Sequence, residues 1–463
     1  MSRLFRLPAP ACASLMFFCC AALLGGCAPR GDAGLRAQPR LAHMRDAEDL
    51  RRLPQDLLVY ARQADKKELL SKQEQARQDA RFDRIFFSPW KQARPSVTAK
   101  KLAARFGKGP QGFTEDARPW TQGEWKRMRA NANLASYPRM AQPAITIRHT
   151  SMRALPTPHA CMDTPRPFDQ DNPFDMCQYS TLFLGTPLYA SHISADGLWL
   201  FVESPLASGW VPAEDVAAAD AAFMAQYRTG RLAAVIRDDL PLVTDTGVIG
   251  HTHVGAVYPL YKEHARGVTV LTPIRGAQGQ AVVATAEFDP DQARIKPLPL
   301  NPTWLARIGN QMMGQPYGWG GLYDWRDCSS TTRDLFAPFG IWLPRNSTAQ
   351  SRSGSFIPLG GLDGADKERL IRTSGVPFMT LLWIRGHIML YLGQYRNENV
   401  VFHNIWGLRV AAEGDDDARH VLGRAVVSGL RLGQELPALK DGASLLDRLA
   451  GMVTLPGLSV DEP

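Results

Sequence analysis

The sequence predicts an α+β protein of several modules: a mainly helical N-terminal segment, two small antiparallel β-barrels, and a final domain in which a helix packs on an antiparallel sheet. Three observations carry this. A chain of 463 residues exceeds one ordinary core. Its hydrophobic pattern changes from long charged helical stretches to short alternating runs, and then to a helix followed by three strand-like runs. Its composition, 45% hydrophobic and 21% charged, is that of a globular protein and argues against wholesale disorder or a multi-span membrane protein.

At the N-terminus, Arg3 and Arg6 precede an apolar run from about Leu7 to Leu24 that ends in Leu24-Gly25-Gly26-Cys27. A basic head, a short apolar core and small residues before a cut are the features of a secretory signal. The run is shorter than the roughly 20 residues a transmembrane helix needs. Leu-Gly-Gly-Cys resembles the lipobox of bacterial lipoproteins. That resemblance implies cleavage before Cys27, lipidation of Cys27 and, with Ala28 next, an exported periplasmic lipoprotein anchored in the outer membrane. Residues 1–27 are read as this signal, and residues 28–143 as a Pro- and Gly-rich tether followed by a helical clip. Within the clip, Trp120, Trp125 and Tyr137 are expected to anchor onto another surface.

From residue 144 the texture becomes that of small antiparallel barrels. Residues 144–219 contain Leu198-Trp199-Leu200-Phe201-Val202, the turn cluster Ser194-Ala195-Asp196-Gly197, and Gly209-Trp210-Val211-Pro212. Gly-Trp-Val after a tight hairpin resembles the bacterial SH3 domain. Residues 220–298 form a second such unit, for which a generic small barrel describes the pattern equally well. In residues 299–440, helical spacing at Trp304 to Met313 and at Cys328 to Phe339 precedes strand-like runs at Leu381 to Ile384, His387 to Leu392 and Val400 to His403. Residues 441–463 read as a tail with one more helix.

The net charge of +8 is dispersed rather than clustered, which serves solubility and argues against a nucleic-acid partner. Of seven cysteines, Cys12, Cys19 and Cys20 are expected to leave with the signal and Cys27 to carry lipid. Cys161 and Cys177 admit either a disulfide or a reduced buried pair. Cys328 is left over as a free thiol in an exported chain.

Cys328 stands where a helix begins, between Asp327 and Ser329, and helix amides there favour an anion. A catalytic thiol also needs an imidazole, and two histidines lie in the sheet that follows. By strand alternation His387 shares a side with Met389 and Tyr391, and His403 with Val401 and Ile405, so adjacent strands would let the two rings meet. Neither the His159/Cys161 nor the His251/His253 pair has full metal-ligand spacing, and neither a metal nor another cofactor is expected.

Pro316-Tyr317-Gly318-Trp319-Gly320-Gly321, Asp327-Cys328-Ser329, Gly386-His387-Ile388-Met389-Leu390-Tyr391-Leu392-Gly393 and His403 together resemble the NlpC/P60 family of cell-wall peptidases. Phe87-Ser88-Pro89-Trp90 and Arg153-Ala154-Leu155-Pro156-Thr157 suit its members with an N-terminal clip and two bacterial SH3 domains. The resemblance implies a papain-like catalytic domain, with Cys328 as nucleophile, His387 as general base and His403 as the residue that orients it. The backbone amide of Cys328 is a candidate oxyanion donor. Tyr317, Asp327, Ser329 and Ser347 match positions that line the substrate groove. Asp327 is expected to pair with the free amino group of a murein peptide beginning with L-Ala, the cut falling between γ-D-Glu and the diamino acid. Some relatives add a Gly-Glu pair from the first SH3 domain to that amine pocket, whereas this chain has Gly185-Thr186; Asp175 or Asp196 would have to substitute. Rival readings are a non-catalytic wall-binding adaptor and an amidase or acyltransferase using the same three residues.

Overall fold

The computed structural model describes residues 45–64, 67–169, 172–412 and 418–456; the expected signal and Cys27 lie outside them. The N-terminal clip is a series of short helices, Glu48–Arg52, Leu57–Ala61, Lys72–Phe86, Ala99–Ala104 and Gln122–Asn131. Side-chain oxygens fix several of their starts: the Ser71 hydroxyl accepts from the Glu74 amide at 3.1 Å, and Thr121 and Glu124 form a reciprocal capping box.

Helical spacing sets Phe82 and Phe86 one turn apart on Lys72–Phe86. With Phe87 and Trp90 they join an apolar cluster containing Ile145 of the first barrel, Tyr227 and Leu232 of the second, and Ala337 beyond the cysteine. The Trp90 indole also donates to the Ala144 carbonyl at 2.8 Å. The expected anchors reach the first barrel: Trp125 packs with its Phe201 and Trp210, Trp120 meets Trp125 edge-on, and the Tyr137 ring sits 5.3 Å from His192.

The first barrel is a seven-stranded antiparallel sheet in the spatial order Gln178–Leu182, Thr150–Arg153, Ser208–Pro212, Trp199–Glu203, Pro187–Ile193, Gln142–Thr146, Val216–Ala218. The Ser194 to Gly197 turn lies where the sequence places it; the Asp196 carboxylate accepts from the Leu198 amide at 3.0 Å and Gly197 supplies φ +74°. Cys161 and Cys177 form a disulfide, which resolves the choice the spacing left open. The helix Ala221–Tyr227 leads to the second barrel, also seven strands, in the order Gly247–Thr252, Leu240–Thr244, Ala281–Phe288, Gly267–Arg275, Val257–His264, Leu232–Val235, Ala293–Ile295. Leu240–Thr244 alternates buried and exposed residues, as a strand covered on one face must.

The last domain packs helices Pro302–Met312, Cys328–Phe336 and Gly364–Ser374 against a six-stranded antiparallel sheet, ordered Ser355–Pro358, Leu449–Thr454, Thr380–Ile384, His387–Tyr395, Glu398–Arg409, Arg419–Gly429. The C-terminal stretch departs from its expectation as a tail. Its one short helix, Leu445–Arg448, runs directly into Leu449–Thr454, which lies inside this sheet with Leu381 opposite Val453. A six-residue run with a central glycine has too little periodicity to declare itself, and its partners lie some seventy residues earlier by the same register.

Arg326 ties this domain to the second barrel. It is 4% exposed, donates to both Asp238 oxygens at 2.7 and 2.9 Å, and pairs with Asp334 of its own domain at 2.8 Å. Burial would lower its pKa, but the two carboxylates outweigh burial and raise it. Close by, the His149 and His253 rings meet at 5.2 Å. Burial, then the neighbouring Arg326, hold His149 down at about 3; burial, then His149, hold His253 down at about 4. Unfolded histidines titrate near about 6.5, so below that pH the unfolded chain takes up protons that the folded chain refuses. The stability from these neutral rings is complete above about 6.5 and lost as pH falls toward their folded values, by up to about 1.4 kcal/mol per ring per pH unit. Urea unfolding is therefore expected to show a lower midpoint at pH 5 than at pH 7.5; equal midpoints would contradict it.

Candidate active site

The helix Cys328–Phe336 begins at a reciprocal cap: the Asp327 carboxylate accepts from the Ser330 amide at 2.8 Å, and the Ser330 hydroxyl accepts from the Asp327 amide at 2.9 Å. This puts Cys328 at the first helical position, 6% exposed, with the amides of Ser329 and Ile388 in hydrogen-bonding reach of its sulfur. Ile388 follows His387, so the start of the strand His387–Tyr395, where this histidine stands, lies against the thiol.

The imidazoles meet as strand alternation predicts, with His387 Nε2 2.7 Å from His403 Nδ1. A third residue continues the chain: His403 Nε2 lies 3.0 Å from Ser428 Oγ. In the strand register Val401 faces Ser428 and His403 faces Val426, which makes His403 and Ser428 diagonal neighbours on one sheet face. His403 and Ser428 are fully buried.

The electrostatics differ from the sequence expectation. Burial, and then Asp327, push the Cys328 thiol up to about 12, whereas a helix N-terminus alone would lower it. A helix end carries only about half a charge, against a full negative charge on Asp327 and the loss of water. Burial, then Arg448, push His387 down to about 3. Both directions favour thiol and imidazole over thiolate and imidazolium in the resting pair.

The Asp327 carboxylate, expected to meet a substrate amine, is already paired inside the protein. Arg345 reaches both oxygens, at 2.7 and 3.2 Å, while the Ser329 hydroxyl at 2.9 Å and the Ser330 amide share one of them. Burial would raise this carboxyl, but Arg345 and these donors hold it at about 2. The Ser329 hydroxyl has its one proton in reach of Asp327 and the Arg345 carbonyl, and accepts from Arg345 at 3.0 Å. Ser347 opens the short helix Ser347–Gln350, is buried, and follows the cap residue Asn346. Tyr317 is buried beside Trp406, ring centroids 6.0 Å apart; burial, then Cys328, raise its hydroxyl well above the ordinary range.

The proposed substitutes for the missing glutamate are also engaged. Asp175 is fully buried, pairs with Arg153 at 3.0 Å, and accepts from the amides of Cys161 and Cys177 at 2.9 Å. Asp196 holds its own hairpin turn, and the Thr186 hydroxyl donates to the Phe183 carbonyl. Cys161, Asp175 and Cys177 approach within 4.8 Å, but the two sulfurs are joined to each other and offer no thiolate to a metal.

The first barrel walls the site. Gln178 Nε2 donates to the Gly320 carbonyl at 3.2 Å, Thr181 Oγ1 to Gly321 at 2.6 Å, and the Trp319 indole to Asp175 at 2.9 Å. Arg345 Nε donates to Ser180 at 2.9 Å. A Cβ on Gly321 would lie 2.2 Å from Thr181 Oγ1, and at φ +88° that residue is suited to glycine alone. Sequence reasoning missed Arg345 and Ser428. Arg345 had a signal in Pro344-Arg345-Asn346-Ser347 with an aspartate beside the cysteine; Ser428 had none.

Family models match residues 16–137 as the NLPC_P60 stabilising domain, N term; 163–212 as an SH3 domain of SH3b1 type; 220–265 as an SH3 domain of SH3b2 type; and 314–411 as the NlpC/P60 family. No curated protein matches the chain. Among solved structures, an NlpC/P60 endopeptidase from Photobacterium damselae subsp. piscicida aligns with a TM-score of 0.76 at 23% identity, covering 88% of this chain and 98% of that one. An NlpC/P60 family protein from Bacillus cereus ATCC 10987 aligns with a TM-score of 0.44 at 16% identity, covering 68% and 99%. With its stabilising segment, both SH3 domains and its catalytic module matched in order, the chain belongs to the NlpC/P60 family, cysteine peptidases that hydrolyse peptidoglycan.

Proposed function

We propose that this enzyme cuts the bond between γ-D-Glu and the diamino acid of murein peptides, and that it acts on short peptides with a free N-terminal L-Ala. The observation that carries the chemistry is the 2.7 Å contact between His387 and His403 next to a thiol at a helix start. Cys328 gives its proton to His387 as sulfur attacks the γ-carbonyl carbon. The resulting oxyanion is held by backbone N–H groups, that of Cys328 among them. His387 then passes the proton to the departing amine, leaving an L-Ala-γ-D-Glu thioester. Water attacks this thioester, loses its proton to His387 and releases the free acid as the sulfur regains a proton.

The selectivity is supported by the barrel wall. A barrel hydrogen-bonded to Gly320 and Gly321 leaves little room for a long chain beyond the L-Ala end. The test is incubation with L-Ala-γ-D-Glu-diaminopimelate, the same peptide N-acetylated, and intact sacculus, with products read by mass spectrometry. L-Ala-γ-D-Glu is expected from the free peptide, with sacculus cut far more slowly. Equal cleavage of sacculus would overturn the restriction, and no cleavage of any substrate would leave the wall-binding adaptor.

We further propose export and lipidation at Cys27, with anchoring in the outer membrane. Leu24-Gly25-Gly26-Cys27 supports this, as does the Cys161–Cys177 disulfide, since such bonds persist in oxidising compartments. Metabolic labelling with a fatty acid should mark the protein and fail in Cys27→Ser.

A further inference from the structure

We propose that Ser428 is a positioning residue that sets the tautomers of both histidines and so leaves the base nitrogen of His387 bare. The Ser428 hydroxyl donates to the Gly429 carbonyl at 3.0 Å, which uses its single proton. Toward His403 Nε2, 3.0 Å away, the same oxygen can therefore only accept, so His403 carries its proton on Nε2. Neutral His403 then presents a lone pair at Nδ1, and the 2.7 Å contact requires His387 to donate from Nε2. A neutral His387 protonated on Nε2 has a bare Nδ1, free to take the thiol proton. With the serine proton turned the other way, every step reverses and His387 Nδ1 carries a hydrogen, which cannot act as a base.

The anchor of this relay is itself held. The Gly429 amide donates to Asp49 at 2.8 Å, and Asp49, 7% exposed, also accepts from Arg52 at 2.7 Å. Arg52 in turn donates to Glu398 on the neighbouring strand at 2.5 Å. The helix Glu48–Arg52 of the N-terminal clip thus holds Gly429, the residue on whose carbonyl the relay ends. Burial keeps both rings neutral, so the tautomer rather than a charge is what Ser428 controls.

Removing the hydroxyl leaves a buried N–H on His403 without an acceptor. The ring then gains by moving its proton to Nδ1, which drives the proton of His387 to the wrong nitrogen. Ser428→Ala is expected to lower kcat on the tripeptide on the order of a hundredfold with KM unchanged, while Ser428→Thr, which keeps the hydroxyl, stays within about threefold of the parent. The direct reading is long-range 1H–15N correlation in the full chain labelled with 15N-histidine, assigned through His387→Gln and His403→Gln. Both rings of the unmutated protein should show a protonated Nε2 and a bare Nδ1, and Ser428→Ala should move the proton of His403. A protonated Nδ1 on His387 in the unmutated protein overturns the proposal, as does equal impairment by alanine and threonine. The kinetic arm rests on the peptidase reading. If the tripeptide is not cleaved, that reading fails, and the tautomers still decide the role of Ser428 even if the alanine variant does not fold.

Discussion

Cys328→Ala is expected to lower cleavage of L-Ala-γ-D-Glu-diaminopimelate by about 10⁴-fold or more, the scale on which removing a nucleophile acts. The substitution is structurally mild. It removes one sulfur from a side chain 6% exposed, and the helix start is secured by Asp327 and Ser330 rather than by the cysteine. Thermal unfolding should therefore change little while turnover disappears, and binding of the peptide should survive. Comparable losses of stability and activity would assign Cys328 to packing instead. The neutral resting pair sharpens this expectation, because the thiol becomes a nucleophile only as its proton passes to His387, and without the sulfur His387 has nothing to activate in the first step.

Arg326→Met is the largest expected effect on the fold. It leaves Asp238 without its bidentate partner and takes one of two arginines from Asp334, at positions where those carboxylates are nearly buried. Breaking a buried pair by removing one member typically costs about 3–5 kcal/mol. Activity should fall with stability, since the Arg326 carbonyl accepts from Gly318 at 2.9 Å and from Asn404 at 2.8 Å, and Arg326 is two residues from the nucleophile. The start of the cysteine helix is held from both sides, by Arg326 against the second barrel and by Arg345 against the first. Denaturant titration of Arg326→Met beside Asp238→Asn checks this: a midpoint unchanged in the arginine variant would mean that the junction is not needed to hold the domain.

What was legible in the sequence follows from how local each signal is. The cysteine helix announces itself through a cap within four residues, and the pairing of His387 with His403 follows from the two-residue period of strands. The relations that were not legible join distant segments. Ser428 reaches His403 across a ladder whose register no local pattern declares. Leu449–Thr454 enters the sheet beside Thr380–Ile384 although its own run is too short to distinguish from coil. Asp327 was expected to meet a substrate amine because a carboxylate beside the nucleophile measures distance from a cationic end. Its true partner, Arg345, is eighteen residues on and approaches only because the chain turns back over the helix start. The fold uses that charge to balance a buried guanidinium, a pairing no local pattern declares.

The most direct test of the central claim is to mix enzyme and L-Ala-γ-D-Glu-diaminopimelate, quench with acid within the first turnover, and map the digested protein by mass. An acyl increment of L-Ala-γ-D-Glu on the peptide that carries Cys328, absent when His387 is replaced by alanine, is the expected result. Turnover with no increment on Cys328, or an increment on another residue, would contradict it.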